Sequence, residues 1–179
     1  MDYTVKIGEI EISNNHPPLV IPEVGINHDG SFEKAIKLVD EAKKCGCKII
    51  KFQSHITEME MIKTDMKPGK ISKTPLWEII KKAELSSEEE IKLFFYCKEK
   101  NIEFLSTPFS REAADRLNEM GVNSFKIGSG ECNNLPLIDH ISRFKKPIIL
   151  STGMNDLNSV NDTVKIIKSY KCPLIILHC

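Results

Sequence analysis

The chain has 179 residues, 25 Lys and Arg against 25 Asp and Glu, and 41% apolar residues. This apolar share with no net charge excludes a disordered chain, and the zero balance argues against a general nucleic-acid or membrane-surface binder. No apolar run reaches the roughly 18–20 residues that cross a bilayer. The Met-Asp-Tyr-Thr-Val-Lys start lacks the basic-then-apolar pattern of a signal peptide, and the six cysteines, scattered without a CxxC pair, read as reduced cytosolic thiols. One domain is expected over residues 1–179.

Val5 to Ile12 alternates apolar and polar residues, which predicts a small hairpin or edge strand around Gly8. Leu19-Val20-Ile21 predicts a strand leading into Glu23 and a loop from Gly25 to Gly30. Ser31 is positioned to cap a helix whose Ala35, Leu38, Val39 and Ala42 share a face, and Gly46 to stop it. Lys48 to Ser54 is the next strand. Residues 55–75 form a long polar insertion, followed by a short helix from Trp77 to Ala83. Ser86 and Ser87 with Glu89 and Glu90 read as a capping-box start for a helix to about Lys100. Then come a strand at Glu103–Thr107, a helix at Arg111–Met120, a strand at Ser124–Ile127 and a short helix at Leu135–Ser142. The strand Pro147–Ser151, the helix Leu157–Tyr170 and the strand Leu174–His178 complete the series.

Strand and helix thus alternate with βαβ spacing, and the strands are short continuous apolar runs, as in a parallel sheet covered by helices. Polar residues cluster at the strands' carboxyl ends: Glu23, Lys51 with Gln53, Ser106-Thr107, Lys126 with Ser129 and Glu131, Ser151-Thr152, and His178. That end binds ligands in both open α/β sheets and (β/α)8 barrels. A closed barrel takes eight strands and about 250 residues. About six strand–helix units therefore predict an α/β TIM barrel cut before closure, a single incomplete barrel domain.

Lys51 and Lys126 interrupt apolar strands, where an unpaired ammonium is costly to bury. Together they suit a phosphate or carboxylate; the alternative is that they are bridged to Glu23 or Glu131 with no ligand. The stretch Lys126-Ile-Gly-Ser-Gly-Glu131 could bring backbone N–H groups to an anion, although Gly-Ser-Gly is also a common flexible turn. Ser106-Thr107 and Ser151-Thr152 offer hydroxyls, while Ser110 reads as a helix cap. Glu23 and Glu131 could be general acids or bases, sugar-hydroxyl acceptors, or partners of the lysines. His28 and His55 could touch a substrate, but loop histidines are more often solvated or locally hydrogen-bonded; His16 and His140 read as structural. No HxxH, HExxH or CxxC spacing marks a complete metal site, and no dinucleotide or P-loop glycine motif occurs.

Five segments carry a resemblance: Pro22-Glu-Val-Gly-Ile-Asn-His-Asp-Gly30, Lys51-Phe-Gln-Ser-His55, Leu105-Ser-Thr-Pro-Phe-Ser110, Phe125-Lys-Ile-Gly-Ser-Gly-Glu-Cys-Asn-Asn134 and Ile149-Leu-Ser-Thr-Gly-Met-Asn155. In order and spacing, from about Leu19 to Cys179, they resemble the N-acetylneuraminate (sialic acid) synthase family, which includes legionaminate and pseudaminate synthases. The resemblance implies a cytoplasmic transferase of nonulosonic-acid and surface-carbohydrate biosynthesis. Such an enzyme condenses phosphoenolpyruvate with N-acetylmannosamine or a related 2-acylamino sugar and releases phosphate. It implies that Lys51, Thr107, Lys126, Ser129 and Ser151 bind substrate and that Glu23, Gln53 and Glu131 stand near the reacting sugar and attacking water. It also implies a divalent metal, typically manganese, held by histidines of later strands, and a homodimer completed by a carboxyl-terminal antifreeze-like domain. Both lie beyond Cys179. Ser54 and the Thr57–Pro75 insertion differ from neuraminate-specific members, which leaves legionaminate or pseudaminate synthesis as the alternative. Rivals of other kinds are a non-catalytic anion-binding barrel fragment and an aldolase forming a Schiff base through Lys51 or Lys126.

Overall fold

The longer helices of the chain begin at residues whose side chains cap them. A computed structural model describes residues 3–70 and 72–179. In it Ser31 accepts the Lys34 N–H at the start of α1 (Phe32–Lys44), and Ser86 and Glu89 form a reciprocal capping box on α4 (Ser87–Glu99). Ser110, Asn134 and Asp156 cap α5 (Arg111–Met120), α6 (Leu135–Ser142) and α7 (Leu157–Ser169) in the same way. Two short helices, α2 (Thr57–Glu60) and α3 (Leu76–Ala83), lie between α1 and α4.

The strands are β1 (Val5–Ile7), β2 (Ile10–Ile12), β3 (Glu23–Gly25), β4 (Ile49–Ser54), β5 (Glu103–Pro108), β6 (Phe125–Ile127), β7 (Ile148–Ser151) and β8 (Leu174–Leu177). β1 and β2 form the expected antiparallel hairpin, with Val5 opposite Ile12. The other six form two parallel sheets, β3-β4-β5 and β6-β7-β8, and β5 lies alongside β6. The chain therefore has the expected α/β class, with six parallel strands in sequence order.

Alternation along these strands divides the apolar residues between two cores. Ile50, Phe52, Phe104, Phe125, Ile127, Ile148 and Leu150 face the helices and pack with Val39, Leu93, Leu117, Ile138 and Ile167. Ile49, Leu105 and Ile149 point the opposite way and pack with Val5 and Ile7 of the hairpin. Each of these large side chains, fully buried, contributes roughly 1.5–3 kcal/mol. The hairpin therefore covers the inner apolar layer, and the polar positions further along the strands remain on the same face.

One expectation needs correction. The first parallel strand is not Leu19–Ile21 but Glu23–Gly25. Leu19 and Ile21 pack against the inner core while Val20 is 70% exposed, and the ladder begins where the Pro22 carbonyl accepts the Lys51 N–H. The polar insertion at 55–75 includes the four-residue helix α2; Ile71 within it lies outside the described residues. Where the loop after β3 meets α3, only glycine fits. Gly30 has φ +76°, and a Cβ there would lie 2.1 Å from the Lys82 carbonyl oxygen.

Candidate functional site

Lys51 and Lys126 sit on β4 and β6, and both are only 7% exposed. Lys51 Nζ donates to Glu23 Oε1 at 2.8 Å, and the Glu23 side chain stays 55% exposed at the rim. Lys126 is different. Its Nζ donates to Ser151 Oγ at 2.5 Å and to the Ile127 carbonyl at 2.7 Å, both neutral acceptors. No carboxylate lies within ion-pair distance of it among the described residues. Burial, reinforced by the neighbouring Lys51 charge, pulls the Lys126 ammonium down to about 8.

The other expected residues lie on the same strands or on the turns that follow them. Gln53 is opposite Thr107 in the β4–β5 register, and Thr107 Oγ1 is buried without a hydrogen-bond partner among the described residues. Such an unpaired hydroxyl costs about 1–3 kcal/mol unless something it can bond arrives. Ser129 opens a single 3-10 turn (Ser129–Glu131) after β6, and its hydroxyl lies close to Gly153 beyond β7. Glu131 is not a partner of either lysine; Asn134 Nδ2 donates to its Oε2 at 2.7 Å. The alternative of lysines closed off by glutamates therefore holds for Lys51 alone.

Some residues that matter were not singled out from the sequence. Asn134 both caps α6 and holds Glu131. Asn155 donates to the carbonyls of Ser129 and Gly153 at 2.8 and 2.7 Å, tying together the loops after β6 and β7. Both stand inside quoted motifs, which was the available signal. The Cys179 thiol is lowered to about 7, first by a hydrogen bond with Ser151 and then by backbone N–H groups of Thr152 and Gly153.

His28 and His55 are not solvated, being 1% and 5% exposed. His28 Nδ1 accepts the Gly30 N–H, and burial lowers the pKa of its ring from the ordinary value. His55 bonds Glu60 through Nδ1 and Gln53 through Nε2. His140 pairs with Asp115 and His16 with Ser13, both away from the lysines, as their structural assignment expects.

Ser106 is a further correction. It faces the helices, not the site, and bonds Ser54 at 2.6 Å. Ser54 in turn donates to Glu90 of α4, whose carboxylate is 2.7 Å from Arg116 of α5. Burial pushes the Glu90 carboxyl upward despite this arginine. The result is a closed, charge-balanced cluster on the outer face.

The inner face gathers two buried ammoniums, one of them with no carboxylate in ion-pair distance among the described residues, an unpaired threonine hydroxyl and serines on adjoining turns, a donor set suited to an anion. Among the described residues no three His, Cys, Asp or Glu side chains converge as a metal site, so these residues alone do not fit a divalent ion. No described helix is long and apolar enough to cross a membrane.

The fold is that of a parallel α/β protein with buried cationic side chains at the carboxyl ends of its strands. Comparison with known proteins is more specific. The chain belongs to the NeuB family, whose domain matches residues 38–179. It is 39% identical to an uncharacterised protein of Methanocaldococcus jannaschii over 98% of this chain and 50% of that protein. It is 37% identical to the N,N'-diacetyllegionaminic acid synthase of Campylobacter jejuni over 90% of this chain and 51% of that enzyme. The crystal structure of an N-acetylneuraminic acid (sialic acid) synthetase from Leptospira borgpetersenii, in complex with citrate, superposes on all of this chain and 60% of that one. Its TM-score is 0.87 at 31% identity. The chain spans about half the length of the curated relatives it matches.

Proposed function

We propose that these residues form the phosphoenolpyruvate half of a sialic-acid-type synthase. The enzyme would join phosphoenolpyruvate to the open-chain aldehyde of N-acetylmannosamine or a related 2-acylamino sugar. The observation that carries this is Lys126, a buried ammonium with only neutral acceptors beside a second buried ammonium. Such a pair calls for a ligand with several negative charges at one end. Family membership supplies the reaction class.

In this proposal Lys51, Lys126, Thr107, Ser129 and Ser151 hold the phosphate and carboxylate, and Glu23, Gln53 and Glu131 border the reacting carbons. Carbon 3 of phosphoenolpyruvate forms a bond to the aldehyde carbon, and the aldehyde oxygen takes up a proton. Water adds at carbon 2 and loses a proton, and phosphate departs as its C–O bond breaks. The residues bind, orient and exclude water. A divalent metal, manganese by family resemblance, would serve as electrophile for the aldehyde oxygen. The described residues do not assemble its ligands, so no step is assigned to it.

We further propose that the six parallel strands are the amino-terminal part of an eight-stranded barrel, which the half-length coverage of relatives supports. The full-length protein would act as a cytoplasmic homodimer, with no nucleic-acid or membrane partner; six free thiols suit a reducing compartment. The 37% identity to a legionaminate synthase favours a diacylamino sugar as the second choice of acceptor. The test is a coupled phosphate-release assay on the full-length protein with purified sugars. Release that requires both a 2-acylamino sugar and a divalent metal is expected. Release without sugar, or trapping of an imine by borohydride, would replace this proposal with another chemistry.

A further inference from the structure

A glutamine amide presents a donor at one end and an acceptor at the other, and its function at a site depends on which end faces inward. Gln53 has a neighbour that decides this. His55 Nε2 lies 3.1 Å from Gln53 Oε1. The Gln53 Nε2 end lies toward Gly25, 3.8 Å from where a Cβ on that glycine would stand, and Glu23 Oε1 is 3.1 Å from the same point. The amide NH2 therefore faces the Glu23–Lys51 rim.

The histidine is itself fixed on every side. Its Nδ1 is 2.9 Å from both carboxylate oxygens of Glu60 on α2, and the side chains of His55 and Glu60 are 3% and 4% exposed. Its ring stacks on Phe109 at 4.5 Å between centroids with 13° between planes. Its backbone carbonyl accepts from Arg116 Nη2 at 3.3 Å, which connects it to the outer Glu90 cluster. The Glu60 carboxyl occupies Nδ1. With Gln53 Oε1 facing Nε2, the contact is a hydrogen bond only when Nε2 carries a proton, because a bare Nε2 would oppose its lone pair to that of the amide oxygen.

We propose that His55 is a positioning residue: clamped by Glu60 and Phe109, it donates from Nε2 to Gln53 Oε1 and fixes the Gln53 NH2 toward the site. In that orientation Gln53 presents its NH2 beside Glu23, toward the reacting carbons of the proposed reaction. Without His55 the amide is free to reverse and to present an acceptor instead. The kinetic consequences rest on the function proposed above; the hydrogen-bond assignment does not.

The first test is long-range proton–nitrogen NMR of the histidine rings in the 15N-labelled full-length protein, with His55 identified by the signals missing from His55→Gln. A protonated Nε2 on His55 is expected; a bare Nε2 would overturn the proposal. The second test compares His55→Phe, which keeps the stack on Phe109, with His55→Gln, whose terminal amide can still donate. His55→Phe is expected to lower kcat by on the order of tenfold to a hundredfold, with KM for phosphoenolpyruvate moving by no more than about twofold, and His55→Gln to recover most of that loss. Equal losses in both variants, or none in either, would contradict positioning through the donor. If the protein turns over no phosphoenolpyruvate with any 2-acylamino sugar, the functional proposal fails, while the ring-nitrogen spectrum still decides this one.

Discussion

The same two strands bury polar groups on both faces, and the two clusters are opposite in kind. On the outer face of β4 and β5, Ser54 and Ser106 join Glu90 and Arg116, with one carboxylate for one guanidinium. On the inner face, Lys51 has Glu23 while Lys126, from the neighbouring β6, has only a hydroxyl and a carbonyl. A buried charge that is paired within the protein maintains structure; one left without a counter-charge carries a desolvation cost that a ligand can relieve. Substitutions on the outer face should therefore affect stability and spare anion affinity, and those on the inner face should do the reverse.

The largest effect is expected from Arg116→Leu. It leaves Glu90 buried without its cation and should cost about 3–5 kcal/mol in denaturant unfolding, as for other broken buried pairs. Glu90 has its folded pKa raised above the ordinary carboxylate value, so at acid pH it is protonated in both states and no buried charge needs compensation. The stability gap between Arg116→Leu and the parent should accordingly narrow as pH falls. A gap that stays constant with pH would mean that the pair is not what Arg116 supports.

Lys126→Met should weaken phosphoenolpyruvate binding or turnover by on the order of tenfold to a thousandfold, while the fold persists because Met keeps the aliphatic stem. Lys51→Met should do likewise. Unchanged kinetics in both would make the lysines structural. Stability should also respond to pH in a way that identifies Lys126. With the folded value at about 8 and the ordinary value at 10.5, the unfolded chain binds more protons between them, so stability from this residue rises with pH across that window. The rise should vanish in Lys126→Met.

A smaller effect with two opposite signs is expected from Thr107→Val. Replacing a buried, unpartnered hydroxyl by a methyl should stabilise the free protein by up to about 1 kcal/mol and weaken anion binding by a similar amount. Loss of stability instead would show that Oγ1 already has a partner in the free protein.

Much of this arrangement is legible in the sequence because its signals are local. The caps at Ser31, Ser86 and Ser110 and the helical periodicities fix helix starts to within a residue or two. The motif residues do meet on one face, since parallel strands bring their carboxyl ends together. What was not legible depends on pairing between strands. Leu19–Ile21 is apolar enough for a strand, but the ladder starts later, at Pro22. In strands with apolar residues on both faces, alternation does not tell whether Ser106 points inward; only its register opposite the helix-facing Phe52, with its hydrogen bond to Ser54, places it outside. That Glu131 belongs to Asn134 and not to Lys126 is likewise a fact of tertiary geometry. The burial of His55 follows from Glu60 and Phe109, neither of which is informative when read alone.

The central claim is that Lys126 is a buried ammonium with no carboxylate partner until an anion arrives. Calorimetric titration of phosphoenolpyruvate into the full-length protein above pH 8, in two buffers of different ionisation heat, tests it most directly. An anion that raises the Lys126 pKa must draw in a proton. Proton uptake on binding, growing as pH rises past about 8 and absent in Lys126→Met, is the expected result. Binding of equal affinity and without proton uptake in both proteins would contradict it.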